Sequence, residues 1–244
     1  FLEVAWQALE DGGFKRSDFG VPGSRRVGVF VGVMYGDYGL VAHDAAQGGP
    51  IRGAAPYWSI ANRASYVFGF EGPSLAIDTA CSSSLTALHL ACQALITGDC
   101  DAALVGGVNL SLHPDKYIGL SQGRFASTDG RCRSFTEGGD GYVPGEGVIA
   151  IIIKRVEDAD AMQDQILGLI RATAINHGGR SNGYSVPNPN AHAQVIARAL
   201  AKARVAPQEL GYIEAHGTGT RLGDPIEIEG LGKALGERSD RAPI

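Results

Sequence analysis

Short apolar runs alternate along this chain with stretches of helical period. RVGVFVGV (Arg26 to Val33), SLAID (Ser74 to Asp78), AALVGGVNL (Ala102 to Leu110) and VIAIIIK (Val148 to Lys154) are of strand length, and their near-continuous apolar character predicts buried strands. FLEVAWQALEDGGF places Leu2, Ala5, Trp6 and Leu9 at i, i+3, i+4 and i+7, an amphipathic helix ended by Gly12 and Gly13. From Ser82 to Thr97 the apolar face is Leu85, Leu88, Cys92, Leu95 and Ile96, and Gly98 stops the helix. Further on, Ile166 to Ala174 reads as a strand, Ala191 to Ala203 as a helix, Gly211 to Ala215 as a strand and Pro225 to Leu235 as a helix. The pattern predicts α/β architecture, repeated twice.

Composition narrows the classes of function. The 244 residues are 44% apolar and 19% charged, enough for one large or two modest globular domains with a real core. A net charge of -5 without an extended basic cluster gives no electrostatic footprint for nucleic acid or an anionic membrane. No apolar run approaches the roughly 20 residues of a membrane span, so a soluble, cytoplasmic protein is expected. The four cysteines, Cys81, Cys92, Cys100 and Cys132, form no CxxC pair and no zinc-like cluster with histidine, so neither a metal nor a disulfide framework is expected. The first residues lie inside a helix without an initiating methionine, which reads as a segment of a longer protein. Glycine-rich loops such as EGGDGYVPGEG read as turn chemistry, because neither GxxxxGK[ST] nor a strand-placed GxGxxG is present.

Chemistry concentrates in DTACSSSL, Asp78 to Leu85. Cys81 follows a predicted strand and opens a predicted helix, where unpaired N–H groups and the helix dipole favour a thiolate and a developing oxyanion. From CSSS alone, a buried structural cysteine weighs as much as a catalytic one. A second stretch, HGTGTRLGDPIE, starts with His216 just past the strand predicted for Gly211 to Ala215. Two strand-end residues, 135 positions apart and in matching halves, make a better candidate for one shared site. In the same stretch D-P-I-E has the form of a capping box, with Asp224 as N-cap, Pro225 at N1 and Glu227 at N3, a structural role. The serines tempt a hydrolase reading, but a G-x-S-x-G elbow is absent and the cysteine holds that position.

DTACSSSL, EGGDGYVPGEG, NGYSVPNPNA and EAHGTGTRLGDPIE together resemble the ketosynthase domain of a modular polyketide synthase, within the thiolase superfamily. The variants GDGYVPGEG and INHGGRSNGYSVPNPN are most similar to ketosynthases whose acyltransferase acts in trans. The resemblance implies a thiolase-like fold of two similar αβαβα halves, truncated at both ends: residues 1–164 carrying the nucleophile, and 165–244 as the start of the second half. It implies Cys81 as acyl-accepting nucleophile and His216 as the group that stabilises the enolate when the extender loses CO2. A second histidine and a lysine are implied beyond residue 244. Thr218 and Thr220 are placed by resemblance where the phosphopantetheine arm enters, and Phe125 where the acyl pocket is bordered. His43, His89, His113, His177 and His192 occupy no family catalytic position.

No bound cofactor is implied, since substrates arrive on the phosphopantetheine of acyl carrier proteins and the extender is of malonyl type. A homodimer through the strand Leu75 to Asp78 is the matching expectation. Two alternatives stay open: a non-elongating ketosynthase that only hands on the chain, and more remotely a thiolase, whose usual histidine motif HGTGT does not match. The 244 residues expressed alone are expected to expose apolar surface and to be inactive.

Overall fold

A computed structural model describes residues 1–15, 26–45 and 56–236. They form two compact units, Phe1–Lys116 with Gly145–Leu169, and Tyr117–Pro144 with Ile170–Ile244. The linear division at 164 and 165 differs from this one, because residues 117–144 group with the C-terminal segment.

In the first unit the chain runs α1 (Leu2–Asp11), β1 (Val27–Gly32), α2 (Tyr38–Ala45), α3 (Trp58–Phe68), β2 (Ser74–Ile77), α4 (Ser83–Thr97) and β3 (Ala102–Asn109), then, after α5 (Asp115–Gln122) begins, β4 (Gly147–Lys154) and α6 (Val156–Met162). The sheet order is β2-β1-β3-β4, parallel except for the antiparallel β3/β4 pair. Strand periodicity sorts the core onto two faces. Val27, Val29, Val31, Ala102 and Leu104 meet Ala5 and Leu9 of α1 and Ala61 and Ala64 of α3. Phe30, Ala103 and Val105 point the other way, onto Ala87, Ala91, Ala94 and Leu95 of α4.

Three expectations are corrected here. The buried face of α4 is its alanine stripe, whereas Leu85 and Ile96 are 69% and 73% exposed. Small residues let the helix descend on the sheet, and the larger ones at the same period would hold it away. Trp6 is also turned outward, stacking on Phe68 at 6.2 Å between ring centroids, while Ala5 and Leu9 fill the core. Finally, β4 is not buried on both faces: Ala150 and Ile152 pack on the α1 side, and Ile149 and Ile151 are exposed.

The descent of α4 has a backbone signature. A Cβ on Gly32 would lie 2.5 Å from the Ser84 nitrogen and 2.7 Å from the Ser83 carbonyl carbon, and one on Gly107 would lie 3.0 Å from Ser84 Cβ. Gly32 and Gly107 are partners in the β1/β3 register, so adjacent strands offer bare backbone to the head of the helix. At its other end α4 stops at Gly98, as expected, and Arg155 donates to the carbonyls of Leu95 and Cys100 at 3.0 and 3.1 Å. A cation there also suits the negative end of the helix dipole.

In the second unit α7 (Pro189–Ala203) and α8 (Gly223–Leu235) pack together. Asn188 caps α7, its side chain accepting from Asn190 and Ala191 N–H, with Pro189 at the first position. The strands expected at 166–174 and 211–215 are not found: neither stretch carries a ladder among the described residues. An apolar run predicts a strand only if a neighbour supplies the hydrogen bonds, and Leu167, Leu169 and Tyr212 are instead 81%, 59% and 74% exposed. No helix among the described residues is long and apolar enough to cross a membrane.

Substituting Gly32→Ala is expected to destabilise the protein by about 1–3 kcal/mol, because the added carbon meets backbone that cannot rotate away. Thermal unfolding should show a clear fall in midpoint, with Gly39→Ala as control, since nothing lies within 4 Å of that added carbon. Equal midpoints for the two variants would contradict the close approach.

Candidate active site

The first cluster lies where β2 hands over to α4. Pairing between β1 and β2 persists to Val33, whose N–H donates to the Ile77 carbonyl at 2.9 Å. Asp78 Oδ1 then accepts from the Ala80 N–H at 3.0 Å, closing an Asx turn. Ala80 has φ of +56°, a left-handed conformation costly to a residue with a side chain. Cys81 follows directly.

Neighbouring hydroxyls hold this turn in place. The Thr79 N–H donates to Ser83 Oγ at 2.9 Å, Ser83 Oγ donates to the Ala80 carbonyl at 2.6 Å, and Ser82 Oγ donates to the Thr79 carbonyl at 2.9 Å. Thr79 and Thr86 hydroxyls meet at 3.1 Å. The serines after the cysteine are therefore the staples of an elbow, which presents Cys81 at the surface. Cys81 stands immediately ahead of the N-cap Ser82, at the head of the helix that it was expected to open.

The other cysteines are set apart by environment. Burial pushes the thiols of Cys92 and Cys100 up, away from the thiolate form. Cys132 is exposed, but it belongs to the second unit, with Sγ 3.8 and 3.7 Å from the carbonyls of Gly217 and Thr218.

The second cluster is the turn His216–Thr220. Its amides would be orphans without the head of α8. Glu227 accepts from His216 and Gly217 N–H at 2.6 and 2.9 Å, and Asp224 accepts from Gly219 N–H at 3.0 Å. The buried Asp224 also accepts from Phe135 N–H at 2.6 Å. The capping-box reading is thus corrected: α8 starts at Gly223, its N-cap Leu222 offers no side-chain cap, and Thr220 Oγ1 accepts from the Gly223 N–H at 3.0 Å. The two carboxylates serve the amides of the preceding turn and of a neighbouring loop instead. A glycine-rich turn followed closely by two carboxylates was the available signal.

Sequence reasoning read part of that neighbouring loop, residues 126–144, as turn chemistry and as a family motif, but missed its bonds to the His216–Thr220 turn. Ser134 Oγ donates to the Gly217 carbonyl, and Gly141 N–H donates to the Gly219 carbonyl at 3.2 Å. Gly219 has φ of +67°, and a Cβ on it would lie 3.0 Å from the Arg133 nitrogen. Arg133 forks onto Asp129 at 3.0 and 2.6 Å and holds that carboxyl well below the usual range.

A cavity of about 590 Å³ opens beside the turn, lined by Phe135 to Gly139, Gly219 to Arg221, Asp224, Pro225 and Ile228. Thr220 lines it, and Thr218 reaches Thr220 through a hydroxyl pair at 3.0 Å. Phe125, 45% exposed, does not line it. No group of three or more His, Cys, Asp or Glu among the described residues is placed to hold a metal ion.

Comparison with known families matches two successive stretches of the chain. "Beta-ketoacyl synthase, N-terminal domain" matches residues 1–159, and "Beta-ketoacyl synthase, C-terminal domain" matches residues 167–244. The chain belongs to the β-ketoacyl synthase family. Among curated relatives this ketosynthase is 54% identical to polyketide synthase PksL of Bacillus subtilis and 54% identical to polyketide synthase ThaG of Burkholderia thailandensis. Those alignments take in 98% and 99% of the chain but only 5% and 4% of the two polypeptides. Among solved structures, the oxazolomycin ketosynthase domain OzmH KS7 of Streptomyces albus JA3453 superposes with a TM-score of 0.90 at 55% identity. The module 6 ketosynthase of the bacillaene synthase from Bacillus subtilis superposes with a TM-score of 0.88 at 37% identity. The chain spans 40% of each of those domains, and 96% of its own length is matched.

Asp224→Asn keeps shape but removes one of the two carboxylate acceptors. Amide exchange at Gly219 and Phe135 is expected to speed up about tenfold, with a loss of about 1.5–3 kcal/mol in ketosynthase stability. Unchanged exchange at both amides would show that the turn holds its form without the carboxylate.

Proposed function

We propose that this ketosynthase segment catalyses acyl transfer followed by decarboxylative Claisen condensation in a polyketide assembly line. One observation supports the reading above the others: the exposed Cys81 sits on a strand-to-helix elbow whose strained Ala80 precedes it. Strain at that point is what presents a nucleophile clear of its own backbone.

Cys81 Sγ attacks the thioester carbonyl of an acyl group carried on phosphopantetheine. The new S–C bond replaces the old one, and the pantetheine thiolate leaves to take up a proton. Amides at the head of α4 serve the developing oxyanion, where the helix dipole adds to their effect. A malonyl-type extender on a second carrier protein then loses CO2. The His216 imidazole N–H donates to the extender's thioester oxygen, stabilising the enolate. That carbanion attacks the acyl carbonyl, a C–C bond forms, and the Cys81 thiolate departs, leaving a β-ketoacyl thioester.

In this reading the hydroxyls of Thr218 and Thr220 receive the amides of the pantetheine arm, and Phe125 borders the acyl chain. The second histidine and the lysine of the family lie outside residues 1–244. The fold is the two-half thiolase-like arrangement, divided near residue 164, and the acyltransferase acts in trans. Two copies pair along β2, an edge strand with Leu75 42% exposed. Acyl carrier proteins are the partners, in the cytoplasm.

With the full-length synthase, Cys81→Ala is expected to abolish covalent acylation from an acyl carrier protein, read by mass spectrometry of the active-site peptide. His216→Ala should still acylate but lose decarboxylative condensation by about a hundredfold or more. Acylation of that peptide in the Cys81→Ala variant, or normal condensation by the His216→Ala variant, would reject the assignment.

A further inference from the structure

The carboxyl ends of parallel strands are where open α/β sheets bind ligands. Three of them converge in the first unit: β1 leads into Tyr35 and Asp37, β2 into Asp78 to Cys81, and β3 through Asn109 into Lys116. Since Gly32 pairs with Ile77, the chain leaving β1 runs out beside the chain that carries Cys81.

Lys116 is 5% exposed, and its ammonium is fully engaged. It donates to Asn109 Oδ1 at 2.8 Å and to the Leu110 carbonyl at 3.0 Å, and it lies 4.4 Å from the centroid of the Tyr35 ring. A buried cation stacked on an aromatic face fixes the ring rather than binding a ligand itself. Tyr57, the neighbour from the start of α3, spends its hydroxyl on the Met34 carbonyl at 2.9 Å. Asp37 is 8% exposed, and its Oδ2 is buried without a hydrogen-bond partner among the described residues. An unpaired buried carboxylate oxygen is costly enough to need an explanation.

Tyr35 and Asp37 lie two residues apart on the segment that leaves β1, and the Tyr35 ring packs on Lys116. Burial pushes the Tyr35 phenol up, and the negative charges of Cys81 and Asp37 add to the effect, so at neutral pH it remains a hydrogen-bond donor. Burial draws Lys116 down, while Asp37 and Glu146 oppose it. Tyr35 thus offers a donor, and Asp37 offers an acceptor.

One functional group satisfies both. A hydroxyl accepts from the phenol and donates to the carboxylate, whereas a ketone can only accept and a saturated or olefinic chain does neither. We propose that Tyr35 and Asp37 are specificity-determining residues that hold a hydroxyl substituent of the acyl chain being loaded on Cys81, with Lys116 as a positioning residue that fixes the Tyr35 ring. The substrate class is therefore a hydroxyacyl thioester. This inference rests on Cys81 being the acyl acceptor.

The test compares acylation rates of the full-length synthase with pantetheine thioesters of β-hydroxybutyryl and δ-hydroxyhexanoyl groups against butyryl and hexanoyl, the acyl group being located on the Cys81 peptide by mass spectrometry. The unsubstituted enzyme should prefer at least one hydroxylated chain. Tyr35→Phe keeps the ring on Lys116, and it should lower the ratio of hydroxylated to saturated acylation about tenfold, as should Asp37→Asn. A ratio unchanged in both variants would overturn the inference while leaving the acyl-accepting role of Cys81 standing. Failure of the unsubstituted enzyme to be acylated by any of the four would reject the nucleophile assignment and this inference together.

Discussion

The head of α4 reaches its place only because β1 and β3 present bare backbone beneath it. Gly32 and Gly107, side by side in the sheet, leave room where a methyl group would meet the main chain of Ser83 and Ser84 at the first and the Ser84 side chain at the second. Alanines along the rest of the helix keep the same spacing. The link from β2 to α4 turns through a left-handed Ala80, and the hydroxyl side chains of Thr79, Ser82, Ser83 and Thr86 hold it. Cys81 is presented at the exposed head of that close-packed helix.

The second unit solves a related problem with charge instead of volume. A glycine-rich turn exposes amides and has few side chains with which to fix itself. Glu227 and Asp224, both from the first turns of α8, supply the acceptors, and Asp224 ties the turn to the 126–144 loop through Phe135. His216 is consequently mounted on a rigid support, while its ring stands at the surface.

Much of the first unit was legible in the sequence because its strands are buried and its helix stop is a glycine. β1, β2 and β3 lie within a residue of the expected bounds, and Gly98 ends α4. Periodicity failed where size mattered more than polarity: it selected Leu85 and Ile96 for the core, and packing selected alanine. It failed again at 166–174 and 211–215, where apolar character is a property of the segment but a ladder is a property of its neighbours. The D-x-x-E pattern misled for a third reason, since a carboxylate at a helix head satisfies whichever amides are nearest, and a glycine-rich turn had moved closer than the helix's own. DTACSSSL was legible as a strand-to-helix turn. Ala80 in a left-handed conformation was not, since alanine gives no such signal. Tyr35, Asp37 and Lys116 were invisible as a set, because only the parallel sheet brings three strand ends together.

The most direct test of this account is an experimental structure of the complete ketosynthase domain, trapped with an acyl group from a stable substrate mimic. The account predicts an acyl carbon bonded to Cys81 Sγ, its carbonyl oxygen against amides at the head of α4, and the His216 imidazole lining the same chamber. An acyl group found on another residue, or Cys81 and His216 opening into separate cavities, would contradict it.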